Sequence, residues 1–88
     1  MAALDLLGRR WALRVLWELR DGRPVPFREL RERCDLMSTS VLNQRLRELR
    51  DSGLVEAGEG GYRLTRTGTS LYKALTPLDA WAKRWAKE

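Results

Sequence analysis

The sequence predicts a mainly α-helical fold with one small β-hairpin, and two patterns carry this prediction. Between residues 27 and 52 a short apolar helix, a three-residue turn and a capped amphipathic helix follow one another. At residues 54–65 two short segments of alternating character flank a glycine-rich tip, which is typical of a β-hairpin. A helix–turn–helix followed by a hairpin is a winged helix–turn–helix, so we expect residues 1–88 to form a single domain of this class.

The composition indicates a small globular protein with a basic surface. Hydrophobic residues make up 43% of the chain and charged residues 33%, which is ordinary for a folded domain. The formal net charge of +5 favours a polyanionic partner without identifying it. No apolar run approaches the roughly 20 residues that span a bilayer, and the first residues lack the pattern of an export signal, so we expect a cytoplasmic protein.

Catalysis is not expected, because the residues that usually perform it are missing. The chain has no histidine and one cysteine, Cys34, so it lacks the common metal-ligand and acid–base groups and cannot form an internal disulfide. It also has no phosphate-binding loop and no paired nucleophile and base. We therefore predict no enzyme activity, no metal and no cofactor. We interpret Cys34 as a buried small residue in a helix, and the alternative is a redox sensor.

The first predicted helix runs from Trp11 to Arg20, where apolar residues recur at helical spacing. Leu13 and Trp17 fall outside its main apolar stripe, so this helix has a second apolar edge to cover. Gly22 is well placed to end the helix. The prolines of residues 23–26 cannot continue a helix, so this segment is predicted to be a connector or a very short strand.

The helix–turn–helix is predicted from Phe27 onward. The first helix ends near Cys34, residues 35–37 form the turn, and Ser38 is a good N-cap for the next helix. This second, recognition helix covers about residues 38–52. Its leucines recur at i, i+4 and i+7 and should pack inward: Leu42, Leu46 and Leu49.

The opposite side of the recognition helix carries hydrogen-bonding side chains that suit the edges of DNA bases, because Arg can bond guanine in a bidentate way and Asn or Gln can bond adenine. The predicted base-reading residues are Thr39, Ser40, Asn43, Gln44 and Arg47. The residues better suited to DNA phosphates are Arg28, Arg31, Ser38, Arg45, Arg50 and Arg63. Such a face taken alone is more often a solvated helix surface, and it is the order of elements that favours DNA binding.

A C-terminal dimerisation helix is predicted at about residues 66–87, after a wing at about residues 54–65. Thr65 can cap this helix, and Pro77 is expected to cause a kink or a restart with Thr76 as cap. The long apolar stripe exceeds what one small core needs, so a second copy should cover it. The predicted dimer-interface residues are Leu4, Leu7, Trp11, Leu71, Leu75, Leu78, Trp81 and Trp85.

The four tryptophans lie on the first and last predicted helices. We interpret them as part of the dimer interface, where large aromatic side chains are common. The alternative is an aromatic-lined pocket for a small aromatic or cationic effector.

Several segments, taken in this order, resemble the HxlR-type winged helix–turn–helix regulators of bacteria and archaea, which are related more distantly to MarR proteins. The segments are Leu4-Asp5-Leu6-Leu7-Gly8 leading to Trp11, Asp21-Gly22, Phe27-Arg28-Glu29-Leu30, Ser38 with Val41-Leu42, Gln44-Arg45-Leu46-Arg47-Glu48-Leu49, Gly53-Leu54-Val55 and Tyr62-Arg63-Leu64-Thr65-Arg66-Thr67-Gly68. The resemblance implies a DNA-binding dimer whose N- and C-terminal helices pack against those of the partner. It also implies that the helix after Ser38 reads the major groove.

The sequence departs from this family in two places. The hairpin tip at residues 56–61 is short and carries two acids, whereas the family's tip is usually longer and basic. We therefore expect weak contact between wing and DNA, with Arg63 as the hairpin residue nearest a phosphate. Some family members sense oxidants through a cysteine near the N-terminus, and this sequence has none there.

The leading functional hypothesis is a homodimeric, sequence-specific transcriptional regulator that binds a pseudo-palindromic DNA site. Two recognition helices about 34 Å apart would meet successive major grooves. The alternative is a protein-interaction adaptor or anti-repressor that has the fold but does not bind DNA specifically, and the short acidic wing is its best support.

Overall fold

The computed structural model describes residues 11–87 of the chain. In chain order, its elements are α1 (Ala12–Glu18), α2 (Phe27–Arg33), α3 (Thr39–Asp51), β1 (Val55–Gly58), β2 (Gly61–Leu64) and α4 (Arg66–Lys87). The two strands pair antiparallel. The predicted fold class, mainly helical with one small hairpin after a helix–turn–helix, is confirmed.

The core is built from one apolar face of each of the first three helices, together with apolar residues of the connector and the hairpin. In α3 the three leucines predicted to pack inward, Leu42, Leu46 and Leu49, are all buried. The other fully buried side chains around them are Val15, Leu16, Leu19, Val25, Leu30 and Cys34. Because these leucines face the core, the rotation of α3 about its own axis is fixed and its opposite side faces solvent.

The turn between α2 and α3 is held from both sides. Asp35 and Leu36 adopt left-handed backbone angles, with φ of 59° and 57°, which residues other than glycine rarely adopt. The guanidinium of Arg31 spans the turn, donating from Nε to the Met37 carbonyl at 2.7 Å. From the other side Arg14 of α1 donates from Nη2 to the Arg33 carbonyl at 2.7 Å. These bonds hold the turn that directs α3.

Both predicted helix caps are present. The Ser38 hydroxyl accepts the Val41 N–H at 3.4 Å at the start of α3. The Thr65 hydroxyl accepts the Gly68 N–H at 3.0 Å at the start of α4. Each bond satisfies an N–H group that has no partner within the first turn of its helix.

The loop of the hairpin is shorter than the glycine-rich tip expected at residues 56–61. Gly58 pairs with Gly61, so only Glu59 and Gly60 form the loop. On its other edge β2 is bridged to Val25, whose N–H donates to the Tyr62 carbonyl at 2.8 Å. Residues 23–26 are therefore a connector, of which Val25 alone bridges to the hairpin.

The helix α4 continues without interruption through Pro77 for 22 residues, so the restart expected at Thr76 is wrong. Thr76 does not cap a new helix. Its hydroxyl donates back to the Tyr72 carbonyl at 3.2 Å, as Ser and Thr side chains do inside helices. Proline still removes one backbone donor here. None of the helices in residues 11–87 is both long and apolar enough to cross a membrane.

Candidate nucleic-acid interface

The outer face of α3 presents all five predicted base-reading side chains to solvent. Thr39, Ser40, Asn43, Gln44 and Arg47 are each exposed, on the helix whose leucines fill the core. The Ser40 hydroxyl shares a hydrogen bond with the Ser38 hydroxyl, and Arg47 borders a groove beside the hairpin, but all five side chains remain accessible to a partner. Whether these residues read bases stays a prediction.

The predicted phosphate-binding residues fall into two groups. Arg28, Ser38, Arg50 and Arg63 are exposed, whereas Arg31 and Arg45 are half-buried. Arg31 bonds the turn through Nε. Arg45 lies along α3 with a side chain only 16% exposed and pairs with Glu48 at 2.9 Å. The sequence analysis missed this pair, although the spacing of three residues on one helix could have indicated it.

The free arginines on this surface can be told from the engaged ones by their ion pairs. Within residues 11–87 no acidic side chain lies within ion-pairing distance of Arg28, Arg47 or Arg50. Arg63 instead pairs with Glu56 across the hairpin at 2.7 Å. The first three can therefore offer a guanidinium to DNA without breaking an ion pair, and Arg63 cannot.

A second surface, which we call the α4 face, is apolar. It consists of two half-buried residues, Leu71 and Leu75, and three exposed ones, Leu78, Trp81 and Trp85. Leu78 is 58% exposed, Trp81 52% and Trp85 64%, and the two tryptophan rings stack 5.9 Å apart. Trp11, another predicted interface residue, is half-buried against the core. Leu4 and Leu7 lie outside the described residues.

An apolar groove of about 310 Å³ lies between α1 and α4 and shares Leu75 and Leu78 with the α4 face. Leu13 and Trp17 form its wall on α1, so the second apolar edge expected on that helix faces α4. The rings of Trp17 and Tyr72 lie 5.9 Å apart at an angle of 52°. The groove therefore has an aromatic wall, but of the four tryptophans that the pocket alternative invoked only Trp17 lines it, and the second ring is that of Tyr72.

Cys34 is fully buried in the core. Burial raises the pKa of its thiol to about 11, since desolvation disfavours the thiolate. The thiolate is the reactive form of cysteine, so this arrangement supports a packing role rather than a sensing role. In the described part of the chain no group of His, Cys, Asp and Glu side chains is arranged to hold a metal ion.

The family model of HxlR-like helix-turn-helix proteins matches residues 6–88. The chain belongs to the HxlR family. Among its relatives in this family, the HTH-type transcriptional regulator YodB of Bacillus subtilis is 32% identical over 93 residues, covering 98% of this chain and 82% of YodB.

Solved structures of HxlR-type proteins share the fold along nearly the whole chain. The quinone-bound structure of YodB from Bacillus subtilis has a TM-score of 0.86 at 36% identity, covering 94% of this chain and 93% of YodB. A possible HxlR family transcriptional factor from Thermoplasma volcanium has the same TM-score at 29% identity, covering 97% of this chain and 82% of the other. These likenesses confirm the resemblance drawn from the sequence segments.

The chain is thus an HxlR-family transcriptional regulator with a winged helix–turn–helix, and this fold implies DNA binding. Its HxlR-family relatives are transcriptional regulators and not enzymes, which supports the expectation of a non-enzymatic role.

Proposed function

We propose that this HxlR-family regulator is a cytoplasmic homodimer that binds a pseudo-palindromic DNA site in a sequence-specific manner. The observation that carries the proposal is the outer face of α3, where Asn43, Gln44 and Arg47 are exposed on a helix anchored by three buried leucines. A rigid helix with amide and guanidinium groups on its free side suits the major groove, which is about 12 Å wide.

The DNA backbone would be held on either side of this face. Arg28 of α2 and Arg50 near the end of α3 are exposed and have no ion-pair partner in residues 11–87. Guanidinium groups bind phosphate oxygens without regard to sequence and set the register of the protein on the duplex. The two arginines would therefore position α3 while its central residues read the bases.

Dimerisation would use the α4 face. Leu78, Trp81 and Trp85 expose large apolar surfaces side by side on one helix, and contiguous surfaces of this kind mark protein interfaces. A twofold dimer has two recognition helices, one in each copy, related by the twofold axis. The DNA site that they read would therefore be two-fold symmetric, with half-sites about 34 Å apart.

Selection of bound fragments from random duplex DNA, followed by anisotropy titrations on the selected and a scrambled site, tests specific binding. Arg47→Ala should reduce the difference in binding free energy between the selected and the scrambled site by about 1–3 kcal/mol. Lys73→Ala is the control, since it removes one exposed charge from the side of α4 away from the apolar stripe. Unchanged discrimination removes Arg47 from base reading. Failure of the wild type to select any site favours the adaptor alternative.

Light scattering coupled to size exclusion tests the dimer. Leu78→Asp places a carboxylate in the α4 face and should give monomers that lose tight binding to the selected site. Ala80→Asp places the same carboxylate on an exposed position away from the apolar stripe and should remain dimeric. A wild-type protein that runs as a monomer at micromolar concentration contradicts the proposal.

We also propose that the groove between α1 and α4 receives a flat small-molecule effector. Its volume of about 310 Å³ and its wall of Trp17 and Tyr72 suit a planar ring, and YodB has been crystallised with a quinone bound. Calorimetric titration with 1,4-naphthoquinone should show saturable binding that Trp17→Ala weakens and Lys73→Ala does not. No saturable heat, or equal loss in both variants, refutes this site.

A further inference from the structure

Glu56 places a carboxylate in the middle of the candidate DNA surface. It lies on β1 directly opposite Arg63 of β2. On its other side it borders the groove between α3 and the hairpin, whose other charged residues are Arg47, Arg50 and Asp51 at the end of α3. A negative charge is therefore built in between the arginines of the recognition helix and the arginine of the wing.

The contact between Glu56 and Arg63 is made on the outer side of the hairpin. The next pair in register, Val55 and Leu64, is buried, so alternation along the strands sends Glu56 and Arg63 outward. Arg63 Nε donates to Glu56 Oε1 at 2.7 Å, and the two side chains are 53% and 48% exposed. An exposed pair of this kind adds little to stability, so holding the fold together does not account for it.

We infer that Glu56 sets the affinity of this regulator for DNA by competing with the phosphate backbone for Arg63. The inference rests on the proposed function, DNA binding through the outer face of α3. Carboxylate and phosphate are both anionic acceptors for the same guanidinium. While Glu56 holds Arg63 the hairpin pair is neutral, and a phosphate gains Arg63 only by displacing the carboxylate.

The consequence is a wing that withholds one phosphate contact. Phosphate contacts strengthen binding to every sequence alike and make it dependent on salt. With Arg63 withheld, a larger share of the binding free energy comes from base contacts made by α3. Glu56 thus keeps the protein from binding tightly to unrelated DNA.

The test uses the full chain and compares Glu56→Gln with Glu59→Gln. Both substitutions remove one negative charge from the hairpin, but Glu59 lies in the loop and has no ion-pair partner within residues 11–87. A third variant combines Glu56→Gln with Arg63→Gln. Affinity for the selected and the scrambled duplex is measured by anisotropy at salt concentrations from about 50 to about 200 mM.

Glu56→Gln should bind both duplexes more tightly than the wild type, and the plot of log affinity against log salt should be steeper by about 0.9, the contribution of one phosphate contact. The ratio of its affinity to that of the wild type should fall by about 3.5-fold across this salt range, which follows from that slope. Glu59→Gln should keep the wild-type slope. The double variant should return to the wild-type slope, because the released arginine is gone.

Two results overturn the inference while leaving the proposed function in place. In one, the wild type binds a selected site, and Glu56→Gln shows the same slope of log affinity against log salt as the wild type. The other is an equal steepening in Glu59→Gln, which would mean that net charge alone acts. If the wild type binds no duplex, the proposed function and the inference fall together, and that outcome is recognised from the wild type alone.

Discussion

Gly68 allows the sharpest test of the packing that fixes α4 against the wing. It is buried in the first turn of α4, and a Cβ added there would lie 2.0 Å from the Leu54 carbonyl oxygen and 3.0 Å from its carbon. Leu54 cannot move easily, because its N–H donates to Leu49 and its carbonyl accepts from Thr65. The substitution Gly68→Ala therefore forces backbone apart rather than turning a side chain.

The size of the effect follows from two opposing contributions. A carbon and a carbonyl oxygen normally approach to about 3.3 Å, so helix and loop must separate by about 1.3 Å. Overpacking of this kind costs up to about 3 kcal/mol, and alanine recovers about 1 kcal/mol over glycine inside a helix. The net loss should be about 2 kcal/mol, or about 8–16 °C in Tm for a domain of this size.

Urea and thermal unfolding followed by circular dichroism measure this loss, at one fixed protein concentration because association shifts Tm. Gly58→Ala is the matched control, since no atom lies within 4 Å of its added Cβ and its φ is not left-handed. It should be neutral or slightly stabilising. A Gly68→Ala protein as stable as the wild type would refute the close approach between α4 and Leu54.

Four further predictions concern the helix–turn–helix. Ser38→Ala removes the cap of α3 and should lower the free energy of unfolding by about 1 kcal/mol, and an unchanged urea midpoint would show that the cap contributes nothing. Leu36→Gly should raise the free energy of unfolding by about 0.5–1 kcal/mol, because the Leu36 side chain is 61% exposed and its backbone is left-handed. A lower free energy of unfolding in the same urea assay would contradict this. Cys34 should resist iodoacetamide at neutral pH until urea unfolds the chain, so fast native labelling would contradict its burial. Folding raises the pKa of the Cys34 thiol from 9.0 to about 11, so the thiol of the unfolded chain ionises at lower pH than that of the folded chain. The free energy of unfolding should therefore fall as pH rises from 9.0 to about 11, and urea titrations at each pH would measure this fall.

The elements that sequence reasoning predicted well are those set by local chemistry. Ser38 and Thr65 cap helices because a short hydroxyl side chain reaches the N–H groups of the next turn. The leucines of α3 face the core because their spacing matches the helical repeat. Each of these features depends on neighbours within one or two turns.

The features that sequence reasoning missed depend on partners brought by folding or on competing effects. Helical spacing placed Arg31 and Arg45 among the phosphate residues. It could not show that Arg31 spans the turn, whereas the pairing of Arg45 with Glu48, three residues further along the same helix, could have been predicted. The restart at Thr76, one of the two outcomes expected at Pro77, is absent, since α4 continues through the proline. The pair of Glu56 and Arg63 could have been found, because the two residues are equidistant from the two-residue loop.

The part of α4 beyond Pro77 links folding to assembly. In residues 77–87 only Asp79 and Ala82 are half-buried, and the other side chains are exposed. A helical stretch this short is marginal in water by itself, so it gains order from whatever covers it. In the proposed dimer, dilution that separates the copies should unwind this segment, so the helical signal of the protein would depend on its concentration. The amount of regulator present in a cell would in this way set how much of this segment is helical.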